Sequence, residues 1–423
     1  MRLRSVPILL LFCIAGSLFA AEPAADADMF WPQWRGPNAD GVAPHGNPPS
    51  EWSEQKNIKW KTEIPGVGKA SPVIWQDIIY LLSAVPVAGS EKQQYTVFAV
   101  DRKSGQISWK KVAIEAVPHE GTHQDGTWAS SSALTDGEFL FAHFGSRGLF
   151  CFDMKGVQKW SVDLGDMQTR NGFGEGSSPA LYGGVVVVTW DHEGDSFIVG
   201  LDKKTGKELW RQSRDERTSW ATPLIVEKAG KAQVVANGTN RIRSYDLKSG
   251  KLLWESGGMT TNAIPSPVVE GDVVYVMSGF RGAGLRAIKF PVAQGDITDS
   301  ESVVWKYDKD TPYVPSPLLY EGRLYFLKGN NGILTCLNAK DGSVLYGPER
   351  LDAISGVYAS PVAAAGKVYI VGRRGATLVV KSSDKFEVLA QNELDDAFDS
   401  SPAIVEDAIY LRGRSHLYCI AEK

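Results

Sequence analysis

The sequence predicts an all-β fold, an eight-bladed β-propeller of four-stranded antiparallel blades. Three observations carry it: a four-strand unit that recurs along the chain, a period of blade length, and a tryptophan that closes most copies. The clearest copy is SSPALYGGVVVVTWDHEGDSFIVGLDKKTGKELWRQ, residues 177–212. Its first strand follows Ser178-Pro179, its second runs from Val185 to Thr189 after the Gly183-Gly184 turn, and its third spans Phe197 to Leu201. The turn from Asp202 to Gly206 leads into a fourth strand that reaches Trp210. A lone sheet of this pattern cannot bury both faces, so it requires neighbours of the same kind.

Seven further units begin at Ser71-Pro72, Ser131-Ser132, Thr222-Pro223, Ser266-Pro267, Ser316-Pro317, Ser360-Pro361 and Ser401-Pro402, mostly at steps of about 41–50 residues. The end of the unit recurs as Ala99, Asp101, Gly105, Trp109, as Cys151, Asp153, Gly156, Trp160, and as Ser244, Asp246, Gly250, Trp254. The fifth unit keeps Ala287 and Trp305 around an insertion. The sixth softens the pattern to Cys336, Asn338, Gly342, Tyr346, and the seventh reads Val379, Lys381, Leu389. Physically, the Asp caps a turn, the Gly supplies a positive-φ position, and a large indole fills the wedge between blades. Trp60, Trp109, Trp160, Trp210, Trp254 and Trp305 are therefore assigned as structural docking residues.

The spacing A-x-D-x-x-T-G-x-x-x-W resembles the tryptophan-docking repeat of pyrroloquinoline-quinone (PQQ) type propellers, over residues 57–423. The resemblance implies a quinoprotein-like, BamB-like propeller in which each Trp packs between neighbouring blades. The segment NIKWKTEI, residues 57–64, matches a fourth strand without its first three, whereas the last unit has only three strands. The N-terminal strand is thus expected to pair near Leu417–Ala421 and close the ring, which removes an open sheet edge.

Residues 1–20 have basic Arg2 and Arg4, an apolar run from Val6 to Phe19 and small residues after it, the pattern of a secretory signal peptide cleaved between about residues 20 and 27. Cys13 follows Leu11-Phe12, where a lipidation site would carry small residues, so export to the periplasm or medium without a lipid anchor is expected. No later run is apolar enough to span a bilayer. Residues 28–56, rich in Pro, Gly and Trp, read as an extended leader laid on the propeller and anchored by Trp31, Trp34 and Trp52. Trp52 is expected to matter much less to stability than Trp210. A formal net charge of -4 gives no general drive toward nucleic acid, and the protein is expected to be monomeric. Cys151, Cys336 and Cys419 share one third-strand position in three different blades, so they read as small buried residues beyond disulfide reach.

In an up-and-down blade the interblade connection and the second-to-third-strand loop share one face. On that face lie hairpins bearing Arg147, Arg281, Arg373 and Arg414, which would make one channel mouth locally basic. His119 and His123 in the first interblade connection, His143 at the blade-two loop, and Asp191-His192 at the blade-three loop also sort to it, four of the six histidines. They are ligand-binding candidates, and whether they hold a metal is left open. His119-Glu120-x-x-His123 spells a zinc-protease motif, but Pro118 and Gly121 deny it the helix that the motif needs.

Two functions fit this fold. The first is an exported non-catalytic scaffold, BamB-like, that binds a protein partner or small ligand at one channel face and needs no cofactor. The second, implied by the quinoprotein resemblance, is a dehydrogenase that uses PQQ and calcium to oxidise alcohols or polyols. Many such enzymes carry a vicinal disulfide over the quinone, and this chain has no adjacent cysteines.

Overall fold

The computed structural model describes residues 27–422, so the signal-peptide assignment lies outside the described residues. The repeating unit folds as its alternation dictates, into strands Ala180–Tyr182, Val185–Trp190, Phe197–Asp202 and Glu208–Ser213 paired antiparallel in sequence order. Eight such sheets form the ring. The first strands of neighbouring blades touch one another and line the axis, while the fourth strands alternate exposed and half-buried residues at the rim. Ring closure is as predicted: Ile58–Glu63 pairs antiparallel with His416–Ile420 and supplies the outer strand of the eighth blade. The insertion in blade five adds a short strand, Gly295–Asp296, parallel to the outer strand of blade four.

The register explains the repeated pattern. In seven of the eight blades a small third-strand residue lies opposite the docking aromatic: Ala99 with Trp109, Cys151 with Trp160, Gly200 with Trp210, Ser244 with Trp254, Ala287 with Trp305, Cys336 with Tyr346 and Cys419 with Trp60. The three cysteines are free and buried at this crowded site. The indole then reaches across the seam. Trp60, Trp160, Trp210 and Trp305 donate their Nε1–H to Arg102, Lys203, Leu247 and Ala339 carbonyls of the following blade, at 3.1, 3.0, 2.8 and 3.1 Å. Each rests on the turn glycine there; a Cβ on Gly250 would come within 2.6 Å of Trp210. That contact, as much as the positive φ of 71°, requires glycine.

Blade seven corrects the sequence reading. The residue opposite Val379 is Ala390, not Leu389, which is solvent-exposed. The turn after Lys381 is a residue longer than the turn after Asp101, and the usual bulge beyond the small residue completes the slip. With Ala390 in the docking position, the seam is filled from elsewhere. Trp52 stacks on Tyr369 with ring centroids 6.3 Å apart, over the second-strand residue equivalent to Tyr80 under Trp109 and Tyr410 under Trp60. Its backbone N–H donates to Asn392 Oδ1 at 2.8 Å, and Asn392 Nδ2 donates to Ser50 O. Only 4% exposed, Trp52 is a surrogate docking residue, contrary to the minor role expected of it.

The rest of the leader enters the channel. Trp31 exchanges backbone hydrogen bonds with Ile74 in the first strand of blade one, and Thr135 N in blade two donates to Pro32 O. Ala43 N then donates to Ala363 O in the first strand of blade seven. Between them, buried Arg35 donates to the carbonyls of Asp40 and Pro317, at 2.5 and 2.7 Å, and to Pro361 O at 3.4 Å. The segment thus crosses the axis and plugs it. The strand bonds and Arg35 carry that anchorage; Trp31 is buried and Trp34 is half-buried.

A second device links the blades. Ser71 N donates to Ser132 Oγ, Ser132 N to Ser178 Oγ, Ser178 N to Thr222 Oγ1, and so on through Ser266, Ser316, Ser360 and Ser401, whose N–H returns to Ser71 Oγ. All the distances lie between 2.8 and 3.0 Å. Each Ser or Thr of the unit-opening motif is therefore one link of a closed hydroxyl ring. The proline that follows most of them holds the residue extended, the conformation the ring uses.

Candidate functional site: a cup over the plugged channel

The ring and the plug make the floor of a cup of about 480 Å³ on the face shared by the interblade connections. Seven of the eight ring hydroxyls, all but Ser266, line it, and Trp34 rises from the plug between them. The eight connections supply the wall, and their chemistry divides it in two. Phe173, Trp220, Ile264 and Tyr313 give one aromatic and apolar arc; Asp399, Lys69 and Asp125 give the opposite, charged arc.

The charged arc is an internally paired network. Lys69 Nζ lies 2.7 Å from Asp399 Oδ2 and 2.8 Å from Asp125 O. Arg373 donates to Asp399 and to Asp125, each at 2.6 Å, with its guanidinium 3.7 Å over the Tyr358 ring. Tyr358 O–H donates to Asp125 at 3.1 Å. Burial is the largest single influence and opposes ionisation of Asp125, yet the hydrogen bond and charge of Arg373, with the Tyr358 hydrogen bond and the Lys69 charge, together outweigh it and hold the carboxyl below its usual range. Burial, with Asp125 beside it, pushes the Tyr358 phenol up to about 12. Two cations face two carboxylates, so the arc carries no uncompensated charge.

The histidine candidates share the face but not one space. His119 Nε2 meets Met167 O at 2.5 Å, and His192 accepts from Gln168 N at 3.1 Å while its other nitrogen meets Asp195 O at 3.2 Å. His143 Nδ1 meets Ser177 O at 3.3 Å; burial lowers its pKa to about 4 and keeps the ring neutral. His119 and His143 border a cavity of only about 20 Å³, the size of one water. His123 alone reaches the cup, edge-on to Phe173 at 5.2 Å. Each imidazole thus commits at least one nitrogen to a separate hydrogen bond, His143 Nε2 being buried without a partner, and among the described residues no three His, Cys, Asp or Glu side chains are grouped to hold a metal. Residues 117–126 form no helix, so the zinc-protease motif lacks its frame.

Asp191 is fully buried in an ion pair with Arg214, 2.7 Å, and also accepts from Ser219 Oγ. It braces blades three and four. Of the arginines, Arg373 belongs to the cup's network, Arg147 pairs with Asp166, and Arg281 and Arg414 are exposed. Two of the four hairpin arginines are therefore neutralised by carboxylates. Lys69, Trp220, Tyr313, Tyr358 and the hydroxyl ring were not singled out as site residues from the sequence. The repeated Ser/Thr-Pro at unit starts was the available signal for the ring, and each connection's residue just before it marks the wall.

Fold and cup define a tryptophan-docking propeller with one mouth open and its axis plugged. The chain belongs to the family described as outer membrane protein assembly factor BamB, whose pattern matches residues 93–347 and 194–423. BamB from Moraxella catarrhalis superposes with a TM-score of 0.60 at 13% identity, covering 86% of this chain and 99% of that one. A europium-containing methanol dehydrogenase gives 0.66 at 11%, covering 92% and 91%. The quinohemoprotein alcohol dehydrogenase of Comamonas testosteroni gives 0.62 at 11%, covering 94% and 82%. No curated protein sequence matches the chain. Among the described residues no helix is long and apolar enough to cross a membrane.

Proposed function

We propose that this protein is an exported, non-catalytic binding module that presents the cup to a ligand or a protein segment. The observation that carries the reading is the cup's wall: eight connections converge on it, yet Lys69, Arg373, Asp125 and Asp399 are spent on one another and the Glu175 carboxylate is taken up by Ser146 N and Oγ. A general acid or base poised for chemistry needs a free proton site aimed at the substrate. Asp125 and Asp399 instead neutralise Arg373 and Lys69.

The same pairing bears on the quinone. PQQ is a flat tricarboxylate, and its recognition calls for cations not already bound to carboxylates. Lys69 and Arg373 are the cations of the cup's charged arc, and both are paired with Asp125 or Asp399. These residues do not fit the cofactor, and no oxidative step is derived from them. Export to the periplasm or medium is inferred from the signal-peptide pattern of residues 1–20, and a membrane-assembly role is an extension of the family's name. The test is to add PQQ with calcium to purified protein, then follow quinone absorbance after gel filtration and dye-linked alcohol oxidation. Expected is no retained quinone and no turnover; stoichiometric quinone with turnover would replace this reading with the dehydrogenase.

A further inference from the structure

Resting on the binding-module reading, we propose that the ligand of the cup is a neutral saccharide, a pyranose-containing molecule of about disaccharide size. The argument begins at the floor. Each ring hydroxyl accepts a hydrogen bond from its neighbour's backbone N–H, and among the described residues none donates its own proton to another protein group. A serine or threonine hydroxyl has one proton to give. Seven such donors therefore converge on one cavity, fixed in place because the acceptor side of each is already tied to the next blade.

An apolar ligand would strip water from these hydroxyls and return nothing, at a cost for every group left unpaired. A free anion or cation would have to break into the Lys69–Asp399–Arg373–Asp125 network, whose charges already cancel. A neutral, acceptor-rich molecule meets neither cost. The aromatic arc then selects among neutral ligands. Trp220 is held by its own Nε1–H to Gly174 O at 2.6 Å, and Tyr313 stacks on Phe280 at 4.6 Å, so both are rigid platforms. A pyranose offers the matching pair of surfaces: a C–H face for an aromatic ring and a rim of oxygens for O–H donors and carboxylates. A cup of about 480 Å³ lies in the range of small-molecule sites, about 300–1000 Å³.

The experiment titrates maltose, cellobiose and N,N′-diacetylchitobiose into the full chain. Calorimetry and tryptophan fluorescence are read together, since Trp34 and Trp220 line the cup. At least one sugar is expected to saturate, with affinity changed less than about twofold between low and high salt because no net charge is engaged. Trp220→Ala should weaken it at least tenfold. Tyr313→Ala serves as the second variant, with thermal melting run on both so that a loss of fold is seen as such. The proposal is overturned if none of the three sugars saturates, or if saturation survives both variants intact. Inorganic phosphate or tetramethylammonium binding in place of sugar would overturn the saccharide class and leave the binding module standing. Retained PQQ with turnover would remove the binding module itself.

Discussion

Two seams of the ring solve one problem with different pieces of chain. Between blades three and four, Trp210 comes from its own outer strand, donates to Leu247 O at 2.8 Å and rests on Gly250. Between blades seven and eight that arrangement is impossible. The outer strand of blade eight comes from the N-terminus, so no third-to-fourth-strand turn exists there to offer a glycine and a carbonyl. Blade seven has Ala390 in the docking position, and the leader brings Trp52 to Tyr369 instead. The difference teaches that closing a propeller with a distant strand removes a docking surface as well as an edge. The same segment that closes the sheet restores it.

The largest effect should come from deleting residues 28–64, which removes the plug, Trp52 and the strand Ile58–Glu63 together. Blade eight would then expose the edge of His416–Ile420, and seam seven–eight would lose Trp52 from its core cluster. Cooperative unfolding in denaturant is expected to be lost; a single sharp transition in the deletion variant would show that the closing seam stands without its leader.

Next in size is the direct comparison of the two tryptophans. Trp210→Ala and Trp52→Ala should each cost about 3–5 kcal/mol, because both leave an interblade cavity that the sheets cannot collapse into. Equal shifts of the urea midpoint at unchanged slope would make the seams equivalent. A cost below about 1 kcal/mol for Trp52→Ala would show that it covers the seam without docking in it.

The open end of the ring adds a pH-dependent contrast. At seam two–three, buried His143 has its pKa lowered to about 4 by burial, whereas seam seven–eight is held at that end by the Lys69–Asp399–Arg373 pairing. Since unfolded histidine titrates near 6.5, the unfolded chain binds the extra proton between those values, so stability is intact above pH 6.5 and falls as pH drops toward 4. The loss should reach roughly 3 kcal/mol below that window. His143→Gln should flatten this part of the stability profile measured by chemical denaturation at successive pH values. An unchanged slope would remove the imidazole from the account.

How much of this was legible in sequence follows from what sets each feature. The blades were legible because strand alternation and the Asp-Gly-Trp spacing are local, and ring closure because residues 57–64 copy a fourth strand. The plug was not, since residues 28–56 carry no period and take their shape from the channel they fill. Trp52 could not be assigned until Ala390 was known to leave a place for it, and the register slip that identifies Ala390 depends on turn length. The histidines sorted correctly to one face by topology, but topology carries no direction for a ring nitrogen, and theirs turn to Met167, Ser177, Gln168 and Asp195.

The smallest effect concerns the one device that treats every seam alike. Ser316 Oγ accepts the Ser266 N–H at 2.9 Å, both residues being buried, so Ser316→Ala leaves a backbone donor without its partner. The cost should be about 1–3 kcal/mol. Ser401→Ala, at the closing seam, should cost the same, because the Ser360 N–H donates to it at 2.9 Å in the same geometry. Threonine already fills one link at position 222, so Ser316→Thr should keep the bond and recover most of the loss. If Ser316→Ala were neutral while Ser401→Ala was costly, the ring would be a device of the closing seam alone, and the two kinds of seam would differ at the axis as well as at the rim.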